Sequence, residues 1–101
     1  MDINTLIDEA KARFNHNSAK EYLKEKYTNK LIVADQGGLW TADIQTINFL
    51  TSVKTETCIL IDNFGNPVKV NSKALSDKLS DTYKFVLEQW HDEWQELEKK
   101  R

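Results

Sequence analysis

Hydrophobic residues recur every three or four positions near the start of the chain, and this spacing predicts a helix with one apolar face. The residues of this stripe are Ile3, Leu6, Ile7, Ala10 and Phe14. Asp2 can cap such a helix. Poor helix formers at positions 15–17 interrupt the pattern, and Ser18 to Glu21 has the form of a capping box. Residues 2–27 are therefore expected to form either two helices or one kinked helix.

The pattern then changes to short apolar runs separated by turn residues. Residues 31–34 and 39–40 are apolar, and they flank residues 35–38, which contain two adjacent glycines. This arrangement predicts a β-hairpin. After it, residues 41–50 fit a short helix capped near Asp43 about as well as they fit an extended segment.

A second hairpin is expected further along. Residues 57–61 form a continuous apolar run, which is typical of a strand buried on both faces. Gly65 can adopt positive φ in the turn that follows. Pro67 suits the start or the edge of a returning strand, in which valines alternate with Lys69. The two hairpins together make residues 30–71 a β-rich core.

The last segment, residues 72–99, has the spacing of one long amphipathic helix. Its apolar positions are Leu75, Leu79, Tyr83, Val86, Trp90, Trp94 and Leu97. At 1.5 Å per residue the helix is about 40 Å long, more than a sheet of five-residue strands needs as cover. Trp90, Trp94 and Leu97 are therefore candidates for a contact with another subunit, where tryptophan is enriched. The alternative is that they pack on the domain's own sheet.

Composition limits the range of functions. The chain has 101 residues, of which 40% are hydrophobic and 30% charged, and its net charge is -2. These values fit one globular domain, residues 1–101, and disfavour a polybasic nucleic-acid binder. Neither a signal peptide nor an apolar run of membrane-spanning length is visible, so we expect a cytoplasmic protein with no membrane partner.

No pattern of catalytic residues is apparent. Cys58 is the only cysteine, which excludes an internal disulfide and a cysteine zinc site. It lies in an apolar run, where a buried small side chain is expected. His16 and His91 occupy polar positions outside any metal-binding motif, and Gly37-Gly38 lacks the Lys-Ser/Thr of a phosphate loop. We therefore expect a protein that is not an enzyme and that has no metal and no cofactor.

The second turn carries a local motif. The chain there reads Asp62-Asn63-Phe64-Gly65-Asn66-Pro67-Val68-Lys69-Val70. This resembles the first signature of Sm-like (Sm/LSm/Hfq-type) RNA-binding proteins. The resemblance implies an RNA-binding site in which Phe64 stacks on a base, Asn66 reads a base edge and Asp62 orients Asn66. Stacking and amide hydrogen bonds are the usual means of recognising single-stranded RNA.

The whole sequence also resembles small, functionally obscure proteins of T4-like cyanophages and related marine viruses. The segments that carry this likeness are residues 6–14, 22–27 and 62–70. The resemblances imply an α+β fold, namely a small Sm-like, partly open antiparallel β-barrel with an N-terminal helix and a long C-terminal helix. They also imply a non-enzymatic homo-oligomeric ring, of phage origin, that binds single-stranded RNA in an infected host cell. The alternative is a structural or protein-interaction component of a virion or host-takeover complex, without nucleic-acid binding.

Overall fold

In a computed structural model, residues 3–100 are described, with side chains from residue 15 onward. They form three helices and two β-hairpins. In chain order the elements are α1 (Ile3–Lys30), β1 (Ile32–Asp35), β2 (Gly38–Thr41), α2 (Ile44–Ser52), β3 (Thr57–Ile61), β4 (Pro67–Asn71) and α3 (Ser72–Lys99). The long C-terminal helix expected over residues 72–99 is confirmed.

The two long helices pack side by side in opposite directions. His16 Nε2 of α1 lies 3.4 Å from Glu98 Oε1 near the end of α3, whereas Tyr27 stacks on Trp90 with ring centroids 6.0 Å apart. The N-terminal segment is one continuous helix, so positions 15–17 do not divide it in two. The expected cap, Asp2, lies outside the described residues.

The first hairpin pairs β1 with β2, and the expected glycine turn is confirmed. Asp35 is paired with Gly38, and the two residues between them both have positive φ, 48° at Gln36 and 78° at Gly37. Positive φ at both central positions defines a type I′ turn, whose twist matches that of the strands it joins. The helix interpretation holds for the next segment, because Asp43 Oδ1 accepts a hydrogen bond from Thr46 N at 2.7 Å and caps α2.

The second hairpin pairs β3 with β4, but the expectation that β3 is buried on both faces is wrong. The side chains of Ile59 and Ile61 are 67% and 69% exposed. Cys58 and Leu60, on the opposite face, pack against the core. A hairpin covered on one face by helices buries only alternate residues, since successive side chains of a strand point to opposite faces.

The Sm-like barrel predicted above is wrong. The described strands form two separate two-stranded antiparallel sheets, with no closed barrel, and helices account for most of the chain. The outer edges of β2 and β4 do not pair with each other as strands, because their main-chain groups form other hydrogen bonds. Leu39 of β2 bonds to residues of the second turn, and the backbone of Asn71 in β4 bonds to the side-chain amide of Gln36.

The core lies where α3 covers the two hairpins and α2. Its largest fully buried side chains are Trp40, Leu50, Val70, Leu75 and Leu79. Each described helix and hairpin therefore contributes only one face to a shared interior, and the turns between the strands are left at the surface.

Candidate functional site

The three residues predicted to bind RNA lie together in the turn between β3 and β4, residues 62–66, which we call the Asp62 turn. Phe64 is 73% exposed and Asn66 is also exposed, whereas only 7% of Asp62 is accessible. All three line a surface groove of about 600 Å³. The opposite wall of this groove is the turn of the first hairpin, residues 34–39.

Asp62 organises its own turn through hydrogen bonds to main-chain N–H groups. Its Oδ1 accepts from Phe64 N and from Asn66 N, both at 3.0 Å. Its Oδ2 accepts from Leu39 N of the first hairpin at 3.1 Å. The resemblance implied that Asp62 orients Asn66, and in the structure the carboxylate bonds to the main chain of that residue. Asp62 therefore fixes the backbone that carries both Phe64 and Asn66.

These bonds favour the ionised carboxylate. The hydrogen bond from Asn66 N is the largest influence, and with the bonds from Leu39 and Phe64 it holds the pKa of Asp62 below its ordinary value, although burial acts in the opposite direction. A buried carboxylate with three N–H donors remains charged at neutral pH, and its charge is spread over donors from two hairpins.

The backbone of the Asp62 turn is also closed by its own hydrogen bonds. Asp62 N donates to Asn66 O and Gly65 N donates to Asp62 O, both at 2.9 Å. Gly65 has φ of 82°, a conformation that glycine adopts without the steric cost of a Cβ. The Phe64 ring is thus held outward on a turn whose main chain is fixed at several points.

The first hairpin anchors the Asp62 turn from the side. Asn63 N donates to Leu39 O at 2.7 Å, and Asn63 Nδ2 donates to Thr41 Oγ1 at 3.0 Å. Sequence reasoning missed the roles of Asn63 and Leu39. These contacts join residues more than twenty positions apart, and no periodic pattern marks them.

Gln36 makes the other link between the hairpins. Its Oε1 accepts from Asn71 N at 2.7 Å, and its Nε2 donates to Asn71 O at 3.4 Å. The side-chain amide thereby pairs with the outward main chain of β4 in the manner of an additional strand. The two hairpins are therefore connected at two places, at the Asp62 turn and at Asn71 of β4.

Of the three α3 residues predicted to contact another subunit, two pack within their own chain and one is partly exposed. Trp90 stacks on Tyr27 of the same chain, with an angle of 11° between the rings, and Leu97 packs against the core. Trp94 is 40% exposed, and its ring centroid lies 5.9 Å from that of His91. A contact between chains at this helix end stays a prediction, and Trp94 is the residue most available for it.

Other chemistry is sparse in the described part of the chain. Among those residues, no three His, Cys, Asp or Glu side chains are grouped closely enough to hold a metal ion. Over the same residues, none of the helices combines the length and the apolar character that crossing a membrane requires. Neither a protein-family model, nor a curated protein, nor a solved structure matches the chain, and function is therefore inferred from the geometry of the turn and its groove.

Proposed function

We propose that the Asp62 turn binds an unstacked base of a single-stranded RNA, with Phe64 as the stacking platform. The observation that carries this proposal is an aromatic ring, 73% exposed, on a turn fixed by three hydrogen bonds to one buried carboxylate. An exposed aromatic ring offers a flat face on which any base can stack. Because the turn is already ordered, little backbone entropy is lost when the base binds.

Asn66 supplies the polar contact. Its main-chain N–H and carbonyl are both engaged with Asp62, so its exposed side-chain amide is the part of the residue that can meet a ligand. An amide presents both a donor and an acceptor, which suits the edge of a base. We assign Asn66 to base selection and Phe64 to affinity.

The groove beside the ring provides space for the nucleotide. Its far wall includes Gly37 and Gly38, which have no side chains, together with Asp35, Gln36 and Leu39. The charge of Asp62 is compensated by N–H donors, which reduces its repulsion of a phosphate. We place this activity in the cytoplasm of an infected host cell, as the resemblance to phage proteins implies, and we assign no catalytic step to it.

The test is fluorescence polarisation with short, labelled U-rich and A-rich single-stranded RNA at low salt, where phosphate contacts are least screened. Stacking contributes about 1–3 kcal/mol per base, so Phe64→Ala is expected to weaken binding about fivefold to 150-fold. Phe85→Ala is the matched control, because Phe85 is 61% exposed on α3, away from the groove, and its loss should leave binding unchanged.

Three results would contradict the proposal. The first is a wild-type chain that binds neither RNA at low salt. The second is a Phe64→Ala variant that binds as tightly as the wild type. The third is an equal loss of affinity in the Phe64 and Phe85 variants, because it would show that the contact is not made at the turn.

A further inference from the structure

The two outer edges of the second hairpin differ in a way that points to a second binding surface. Asp62 N bonds to Asn66 O, and Ser72 N bonds to Glu56 O. In an antiparallel pair, residues that exchange hydrogen bonds alternate with residues whose N–H and C=O point away from the partner strand. The register therefore directs the main-chain groups of Thr57, Ile59 and Ile61 away from β4.

The edge of β4 is protected against pairing with another strand. Pro67 has no N–H to offer, Lys69 is an exposed charged residue, and both main-chain groups of Asn71 are occupied by Gln36. Proline, lysine and covering side chains are the means by which proteins prevent edge-to-edge association. Further strand pairing on this side is therefore blocked.

The edge of β3 is less protected. Thr55 Oγ1 donates to the main-chain oxygen of Thr57 at 2.8 Å, but no side chain of the described residues bonds to the main-chain groups of Ile59 or Ile61. In the part of the chain that the structure describes, β3 pairs with β4 alone, and its five residues, Thr57–Ile61, include no charge and no proline. Two of the side chains along this edge, Ile59 and Ile61, are about two-thirds exposed. An uncharged edge strand with exposed apolar side chains is a template for β-augmentation.

We propose that the β3 edge pairs antiparallel with the β3 edge of a second copy of this chain. Pairing about a two-fold axis at Ile59 places Ile59 opposite its counterpart and Thr57 opposite Ile61. The edge can pair with itself because β3 contains no charged residue, so the β3 strands of two chains do not repel each other. The result is a four-stranded sheet with β4 at both outer edges. Because those edges are protected, assembly stops at a closed dimer. This inference is independent of the RNA proposal, since Phe64 lies in the turn beyond the paired strand.

Amide hydrogen exchange of the wild-type chain tests the pairing directly. The N–H groups of Ile59 and Ile61 have no acceptor in β4, so they exchange quickly in a monomer and slowly in the dimer. Protection of these two N–H groups from exchange is expected to rise with protein concentration. Protection of the N–H groups of Cys58 and Leu60 should change far less, because these groups point toward β4 in the monomer as well. Fast exchange of Ile59 and Ile61 at every concentration up to about 1 mM would overturn the proposal.

Matched proline variants test it independently by light scattering. Ile59→Pro removes a donor from the β3 edge without removing a bond to β4, and Lys69→Pro does the same at the opposite edge. At a concentration where the wild type has twice the chain mass of 11.8 kDa, Ile59→Pro should have the mass of one chain and Lys69→Pro that of two. A dimer of unchanged stability in Ile59→Pro would refute the pairing.

A charged variant covers the case in which proline prevents folding. Ile59→Lys keeps the backbone donor, but it brings two ammonium groups together at the two-fold axis, and it should dissociate the dimer in low salt. Ile44→Lys, at an exposed isoleucine on α2, makes the same chemical change away from the edge and should leave the mass unchanged. Equal masses for both lysine variants would overturn the proposal.

Discussion

Gly38 is the position where adding a single methyl group should be most disruptive. A Cβ at Gly38 would lie 2.5 Å from Trp40 Cζ2 and 2.8 Å from Trp40 Cε2. The indole cannot move outward freely, because Trp40 is only 2% exposed and its Nε1 donates to Asp35 O at 2.8 Å. Gly38→Ala must therefore displace the ring from its place in the core.

The expected cost follows from these contacts. Overpacking of a core by a methyl group costs about 1–3 kcal/mol. If the displaced ring also loses its hydrogen bond to Asp35, about 1 kcal/mol is added. We therefore expect Gly38→Ala to lower the free energy of unfolding by about 2–4 kcal/mol. Gly37→Ala is the control, because a Cβ there meets nothing within 4 Å. Its cost is the positive φ alone, about 1–2 kcal/mol.

Urea unfolding followed by far-ultraviolet circular dichroism measures both values. The steric origin is tested by repeating Gly38→Ala in a Trp40→Leu background, where the ring is absent. In that background Gly38→Ala should lower the free energy of unfolding by less than about 1 kcal/mol. The difference between the two backgrounds would show that positions 38 and 40 are energetically coupled. A Gly38→Ala cost that is the same in both backgrounds, or smaller than that of Gly37→Ala, would refute the reasoning.

Two further predictions concern the Asp62 turn. Because the pKa of Asp62 is lowered in the folded state, the ionised carboxylate stabilises the fold above its ordinary pKa near 3.8, and this contribution is lost as the pH falls through the folded-state value. Asp62→Asn should therefore lower the free energy of unfolding at pH 7 and reduce its fall with pH below about 4. Urea unfolding from about pH 5 to about pH 2 measures this, and a fall as steep as that of the wild type would contradict it. Gly65→Ala should cost about 1–2 kcal/mol through its positive φ, and Gly65→Asn less, since asparagine tolerates this conformation; equal melting temperatures for the two variants would speak against a strained turn.

The elements that could be predicted are those specified by local patterns. The bounds of α3 were predicted from the spacing of its apolar residues, because i, i+3 and i+4 spacing places these residues on one face of a helix. A glycine turn in the first hairpin was predictable because Gly37 adopts positive φ without steric cost, whereas the positive φ of Gln36 was not marked by any pattern. Both predictions use interactions between residues near one another in the chain.

The arrangement of the hairpins could not be predicted in this way. It depends on single contacts between distant residues, such as Leu39 N with Asp62 Oδ2 and Gln36 with the main chain of Asn71. A nine-residue likeness to a barrel family indicates how one turn is built, but it does not determine how two hairpins pack. The apolar run of β3 was misleading for a related reason, since an exposed edge strand and a doubly buried strand have similar composition.

The central claim is that a turn fixed by Asp62 presents Phe64 to a base. Nuclear magnetic resonance during titration with a short U-rich single strand tests it most directly, through the ring signals of Phe64 and the side-chain amide of Asn66. We expect both sets of signals to shift together and the Phe64 ring to show intermolecular contacts to a base. Shifts confined to other sites, for example the indole of Trp94, with the Phe64 signals unchanged, would contradict the claim.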